Sequence, residues 1–160
     1  MPPPEPAERC HTAGLALAPA TRGDVAVGHE RRYFTLTNTL DVPCILFGYP
    51  GVQLLDSGGD PLPTTAVRGE GYLFHDDGQI SIVLLPGGAA RFGVEWVHTP
   101  VGAETSRLEA HLLAVIPPDE YGPLSASVAI TACEQERLHV TAVQPIAGAT
   151  AGSLIVSRAT

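Results

Sequence analysis

Seventeen glycines and fifteen prolines make up one residue in five of this 160-residue chain, and they interrupt it about every eight to twelve residues, the spacing of strands and turns. Proline removes a backbone donor and fixes φ, while glycine loosens the backbone, so neither suits the interior of a long helix. The intervening stretches are long enough for strands and too short for most helices. Short strands joined by turns are the expected outcome.

The apolar pattern between the breaks agrees. Residues 32–38 set Phe34 and Leu36 on one side against Tyr33, Thr35 and Thr37 on the other, the period of two that belongs to a pleated strand. Asp41, Val42 and Pro43 then turn the chain into a second strand at 44–47, and a third at 52–55 runs to a turn at 56–60. Residues 62–67 contain Pro63 and suit an edge strand, and 69–78 read as a loop. Residues 79–85 and 89–97 flank Pro86, Gly87 and Gly88 and read as a core hairpin, with Phe92, Val94 and Trp96 on one face. Residues 106–116 alternate Leu108, Ala110, Leu112 and Ala114 against Glu109, His111, Leu113 and Val115. A helix competes there, because Leu, Ala and Glu are good helix formers; the period of two and the β-branched ending at Val115 and Ile116 favour a strand. Further strands are expected at 126–131, 138–143 and 153–158.

These elements predict an all-β fold, an immunoglobulin-like antiparallel β-sandwich of about eight to nine strands. Phe34, Leu36, Ile82, Leu84, Phe92, Val94, Trp96, Leu112 and Val140 are the expected core. The sandwich is placed at residues 10–145, after a Pro-rich linker at 1–9 and before a C-terminal tail or added strand at 146–160.

Hydrophobic residues make up 44% of the chain and charged residues 16%, enough apolar material for a core. No apolar run is long enough for a transmembrane segment. The formal net charge of −8 and the absence of a basic stripe argue against nucleic acid and against an anionic membrane surface. The first nine residues lack the basic and apolar regions of a secretory signal, so the chain is read either as cytosolic or as one from which a signal has been removed.

Chemistry is sparse. No Gly-x-Ser-x-Gly elbow occurs, and Cys133 lies beside Glu134 and Glu136, acidic neighbours that do not activate a thiolate. His75, Asp76 and Asp77 form one cluster of metal-ligand types and His29 with Glu30 a second, but neither has the spacing of a zinc site or a calcium loop. Polar turn residues account for both, with a weak cation site at 75–77 as the residual alternative. No catalytic, cofactor or metal residue is therefore assigned. Gly48, Tyr49, Pro50 and Gly51 form a candidate binding turn, since a Tyr between Gly and Pro can act as a rigid aromatic contact; the alternative, which we prefer, packs that Tyr over the sandwich edge.

Taken together, Tyr33-Phe-Thr-Leu-Thr-Asn-Thr, Pro43-Cys-Ile-Leu-Phe-Gly-Tyr-Pro-Gly-Val-Gln-Leu-Leu-Asp, Leu85-Pro-Gly-Gly-Ala-Ala, Ile116-Pro-Pro, Cys133 and Val140-Thr-Ala-Val resemble the DUF4232 domain family of actinobacteria. The resemblance covers roughly residues 10 to 145. It implies a secreted protein or lipoprotein of the cell envelope, often carried behind a Pro- or Ser-rich lead, with no established activity. It also implies four cysteines, of which this chain keeps Cys10, Cys44 and Cys133 and carries Ser106 where the third is expected. A Cys10–Cys44 disulfide and an unpaired Cys133 follow from that pattern. The expected function is a noncatalytic extracytoplasmic module, binding or structural, with a protein or cell-wall component as partner. A small-molecule binder or enzyme with a pocket in or beside the sheet is the alternative.

Overall fold

A computed structural model of the protein describes residues 7–26, 29–69, 76, 78–97, 107–133, 137–146 and 153–156. Among these, thirteen strands and one short 3-10 turn (Thr12–Gly14) account for all regular structure. In chain order the strands are β1 (Glu8–Arg9), β2 (Leu15–Ala26), β3 (His29–Asn38), β4 (Cys44–Leu46), β5 (Gly51–Leu55), β6 (Thr65–Arg68) and β7 (Ser81–Leu84). They continue as β8 (Ala89–Val97), β9 (Arg107–Ile116), β10 (Leu124–Cys133), β11 (Arg137–Val140), β12 (Gln144–Pro145) and β13 (Ser153–Val156). The all-β expectation holds, and the 107–116 segment is a strand rather than a helix. The strand number exceeds the expected eight to nine because several strands are only two to five residues long, and β2, obscured in sequence by Pro19 and Gly23, runs through an irregularity between those residues.

Three sheets form. A long sheet has the order β2-β3-β8-β11-β6, with β12 added beside β8; a second is β10-β9-β5; a third is β1-β4-β7-β13. Most ladders are antiparallel, but β1 runs parallel to β4 and β11 parallel to β6, so the sandwich is mixed rather than wholly antiparallel. Glu8 and Arg9, placed by sequence in the Pro-rich linker, pair with Cys44 and Ile45. At the other end β13 adds to β7.

One continuous core joins the sheets. Phe34, Leu36, Phe92, Val94 and Trp96 project from the long sheet, Leu54, Leu113, Val115 and Ile130 from the second, and Leu46, Ile82 and Leu84 from the third. Phe34 and Phe92 are Cα partners whose rings stack with centroids 5.8 Å apart, a pairing that adds about 0.5–1.5 kcal/mol to the burial itself.

Two further expectations fail. Residues 79–85 and 89–97 do not make a hairpin: β7 pairs with β4 and β13, whereas β8 pairs with β3, β11 and β12. The turn between them carries the chain from one sheet to another, and buried Asn38 rivets the crossing. Its Nδ2 donates to Leu84 O at 3.0 Å and Val42 O at 2.8 Å, its Oδ1 accepts from Leu40 N–H, and its backbone exchanges bonds with Gly87 and Gly88. A fully bonded amide can be buried at little cost, and Gly87, at φ 78°, permits the turn.

The second failure is Leu112, which is half-buried while Leu113 is fully buried. Buried positions on β9 change phase between Ala110 and Leu113, at the β-bulge that β10 places between Ser127 and Ile130. Residues 112–116 are all apolar, so the pattern could not select the face. The other eight residues named as core are buried.

Candidate functional site

On the outer face of the β5–β9 pair lies a half-open groove of about 370 Å³, lined by Gly51, Val52, Gln53, Ala114, Ile116 and Pro123. Register explains it: Gly51 faces Ile116 and Gln53 faces Ala114 across the ladder, so small residues leave a depression beside larger apolar ones. The Gln53 amide is committed elsewhere, donating to Leu54 O at 3.0 Å and Leu62 O at 2.7 Å. The lining is thus effectively apolar and carries no ionisable group.

Two residues before Pro123, Tyr121 is 96% exposed. Its loop is tied down at several points. Pro117 and Pro118 are buried, Asp119 sits in the left-handed region at φ 61°, and Glu120 N–H donates to Pro117 O at 3.1 Å. Thr12 Oγ1 donates to Gly122 O at 2.8 Å.

The Glu120 carboxylate collects the N-terminal segment. It accepts Thr12 N–H at 2.8 Å, Arg9 Nη2 at 2.9 Å and Arg9 Nε at 3.2 Å, with His11 Nδ1 3.1 Å away. The Thr12 N–H, foremost, and then His11 and Arg9 hold this carboxyl far below the usual range, at about 2. Between those donors, Cys10 is bonded to Cys44 with Cα atoms 4.8 Å apart, as the family pattern implied, and Cys10 N–H donates to Ile45 O. Disulfide and carboxylate together fix the base of the Tyr121 loop. Leu40 and Val42, also exposed, lie on the turn between β3 and β4, with Leu40 against Gly14 just after Thr12.

The candidate binding turn behaves differently. Gly48 and Pro50 are buried and Gly51 lines the groove, and Tyr49 is half-buried. Its hydroxyl donates to Asp76 Oδ2, while Asp76 Oδ1 accepts Gly78 N–H at 3.1 Å and Ala142 N–H at 3.3 Å. That hydrogen bond, with burial and the Asp76 charge adding to it, pushes the phenol up to about 12. Tyr49 is thus tethered by Asp76.

Asp76, singled out as part of a metal-type cluster, serves as this structural acceptor; His75 and Asp77 lie outside the described residues. His29 and Glu30 diverge, His29 Nδ1 approaching Glu95 Oε2 at 3.2 Å and Glu30 pairing with Arg32 at 3.3 Å. Among the described residues no group of three or more His, Cys, Asp or Glu is placed to hold a metal. Cys133 ends β10, and its side chain lies outside the described set. No helix among the described residues is long and apolar enough to cross a membrane. Sequence reasoning missed Tyr121, Glu120 and the groove. The one available signal was the Pro117-Pro118 and Gly122-Pro123 bracket around an aromatic.

The model of the family described as a domain of unknown function, DUF4232, matches residues 10–144. The chain belongs to that family. The DUF4232 region thus runs from the disulfide to β12 and contains the groove, Tyr121 and Glu120, whereas Arg9 and β13 fall outside it. No curated protein and no solved structure matches the chain.

Proposed function

We propose that this DUF4232 domain is a noncatalytic binding module of the extracytoplasmic space, and that it holds a partner protein through Tyr121 and the adjoining apolar groove. The observation that carries the reading is Tyr121 itself, 96% exposed on a loop whose backbone is fixed by Glu120, Thr12 and two buried prolines. An aromatic held in advance contributes contact area with little ordering cost on binding. The Cys10–Cys44 disulfide supports an oxidising compartment, because such bonds seldom persist in a reducing cytosol. An enzyme or small-molecule site would be favoured by converging ionisable groups in an enclosed pocket; the groove is open and offers none. A cell-wall glycan is the less favoured partner, since the groove's polar amide is already engaged.

Photocrosslinking from position 121 in cells of the native host tests the proposal. A photoreactive aromatic there should give one defined protein adduct, while the same group at Ser57, in the exposed turn after β5, should give none. The adduct should be accessible to protease added outside the cytoplasmic membrane, and Ile116→Arg should abolish it without unfolding the domain. Equal labelling from both positions, or an adduct confined to the cytosol, would remove the proposal.

A further inference from the structure

We infer that the face of the long sheet turned away from Phe92, Val94 and Trp96 carries a second site, for a compact oxyanion, centred on the half-buried Arg91. On β8, Arg91, Gly93 and Glu95 alternate with the core residues Phe92, Val94 and Trp96 and so face the other way. Across the ladder Tyr33 pairs with Gly93, Arg31 with Glu95, and both Thr35 and Gln144 with Arg91. Gly93, the Cα partner of Tyr33, has no side chain. The guanidinium carbons of Arg91 and Arg31 lie 4.4 Å and 5.5 Å from that ring's centroid.

Two guanidiniums thus share one aromatic ring in a chain of net charge −8. Glu95 is fully buried opposite Arg31, with His29 Nδ1 3.2 Å away. Among the described residues Arg91 makes no ion pair, and its buried Nε has no acceptor. A buried donor without an acceptor is uncommon in a folded protein. A guanidinium fork matches a carboxylate or a phosphate, and its stacking on Tyr33 fixes the fork in place. The Gln144 amide, on the Cα partner of Arg91, adds a neutral donor on the same face. Among the described residues no carboxylate pairs with Arg91, and one carboxylate or phosphate group is the ligand its fork fits. This site lies on a different sheet from the groove and stands or falls independently of it.

The test is a titration of the full chain, at constant ionic strength made up with sodium chloride, with sodium acetate in one arm and inorganic phosphate in the other. It is followed through the arginine side-chain Nε–H signals by NMR. A saturable shift of the Arg91 signal is expected with one of the two, which identifies the oxyanion class. Arg91→Met, which keeps a stem over Tyr33, should weaken binding by about tenfold or more, the loss expected for a charge-assisted bond, and Gln144→Ala by less. Shifts that are linear in all salts including chloride, or an unchanged affinity in Arg91→Met, would overturn the inference. The wild-type titration decides the matter even if that variant does not fold.

Discussion

Two carboxylates, Glu120 and Asp76, each gather a stretch of chain onto the sandwich, and they do so with opposite chemistry. Glu120 accepts from a guanidinium, a backbone N–H and an imidazole at the molecular surface, and its own pKa falls to about 2. Asp76 accepts from a phenol and two backbone N–H groups, and the phenol's pKa rises to about 12. The first clasp is reinforced by a disulfide and supports the exposed Tyr121; the second tethers the half-buried Tyr49. The same residue type therefore builds one clasp that acid and salt loosen and another whose phenol bond alkali breaks by ionising Tyr49. Binding through Tyr121 is expected to follow the state of the first.

The largest effect should come from the covalent half of the Glu120 clasp. Cys10→Ser with Cys44→Ser opens a link spanning 34 residues, and equilibrium denaturation should show a loss of about 3–4 kcal/mol. A change below about 1 kcal/mol would mean that hydrogen bonding alone holds the segment.

Asp76→Ala comes next, leaving the Tyr49 hydroxyl and the Ala142 and Gly78 N–H groups without their acceptor, at a cost of about 1–3 kcal/mol. Tyr49→Phe in the same background should then cost almost nothing more, because the hydroxyl has already lost its partner. Additive losses in that double variant would break the pairing drawn between Tyr49 and Asp76.

A smaller effect is expected for Glu120→Gln, visible in the pH dependence of stability. Because the folded carboxyl titrates near 2 and its ordinary value is 4.5, its contribution is complete above about 4.5 and is lost as the pH falls toward 2. The variant should lack that acid limb, and added salt should reduce the limb in the wild type. Identical acid limbs in the two proteins would show that the clasp is electrostatically inert.

The smallest effect belongs to Tyr49→Phe alone. The folded phenol titrates near 12 instead of 10, so its contribution is complete below about 10 and disappears between 10 and 12. The variant's stability should be flatter than wild type across that window, measured by chemical denaturation. Retention of the wild-type alkaline slope would assign it to other groups.

What the sequence by itself determined is the element type and most of the core. Glycine and proline spacing excludes long helices, and a period of two marks Phe34, Leu36, Phe92, Val94 and Trp96 as one buried set because successive side chains on a strand point to opposite faces. The Cys10–Cys44 pairing came from the family pattern rather than from spacing. Tertiary structure alone decided which strands share a sheet: a Pro-Gly-Gly turn serves a hairpin or a crossing equally well, and Asn38, bonded on both sides of the gap, selects the crossing. It alone chose Leu113 over Leu112, since an all-apolar run has no periodicity to read and a bulge in the partner strand sets the phase. It alone formed the two clasps, whose partners lie up to 111 residues apart, because a carboxylate's role depends on which donors the fold brings to it.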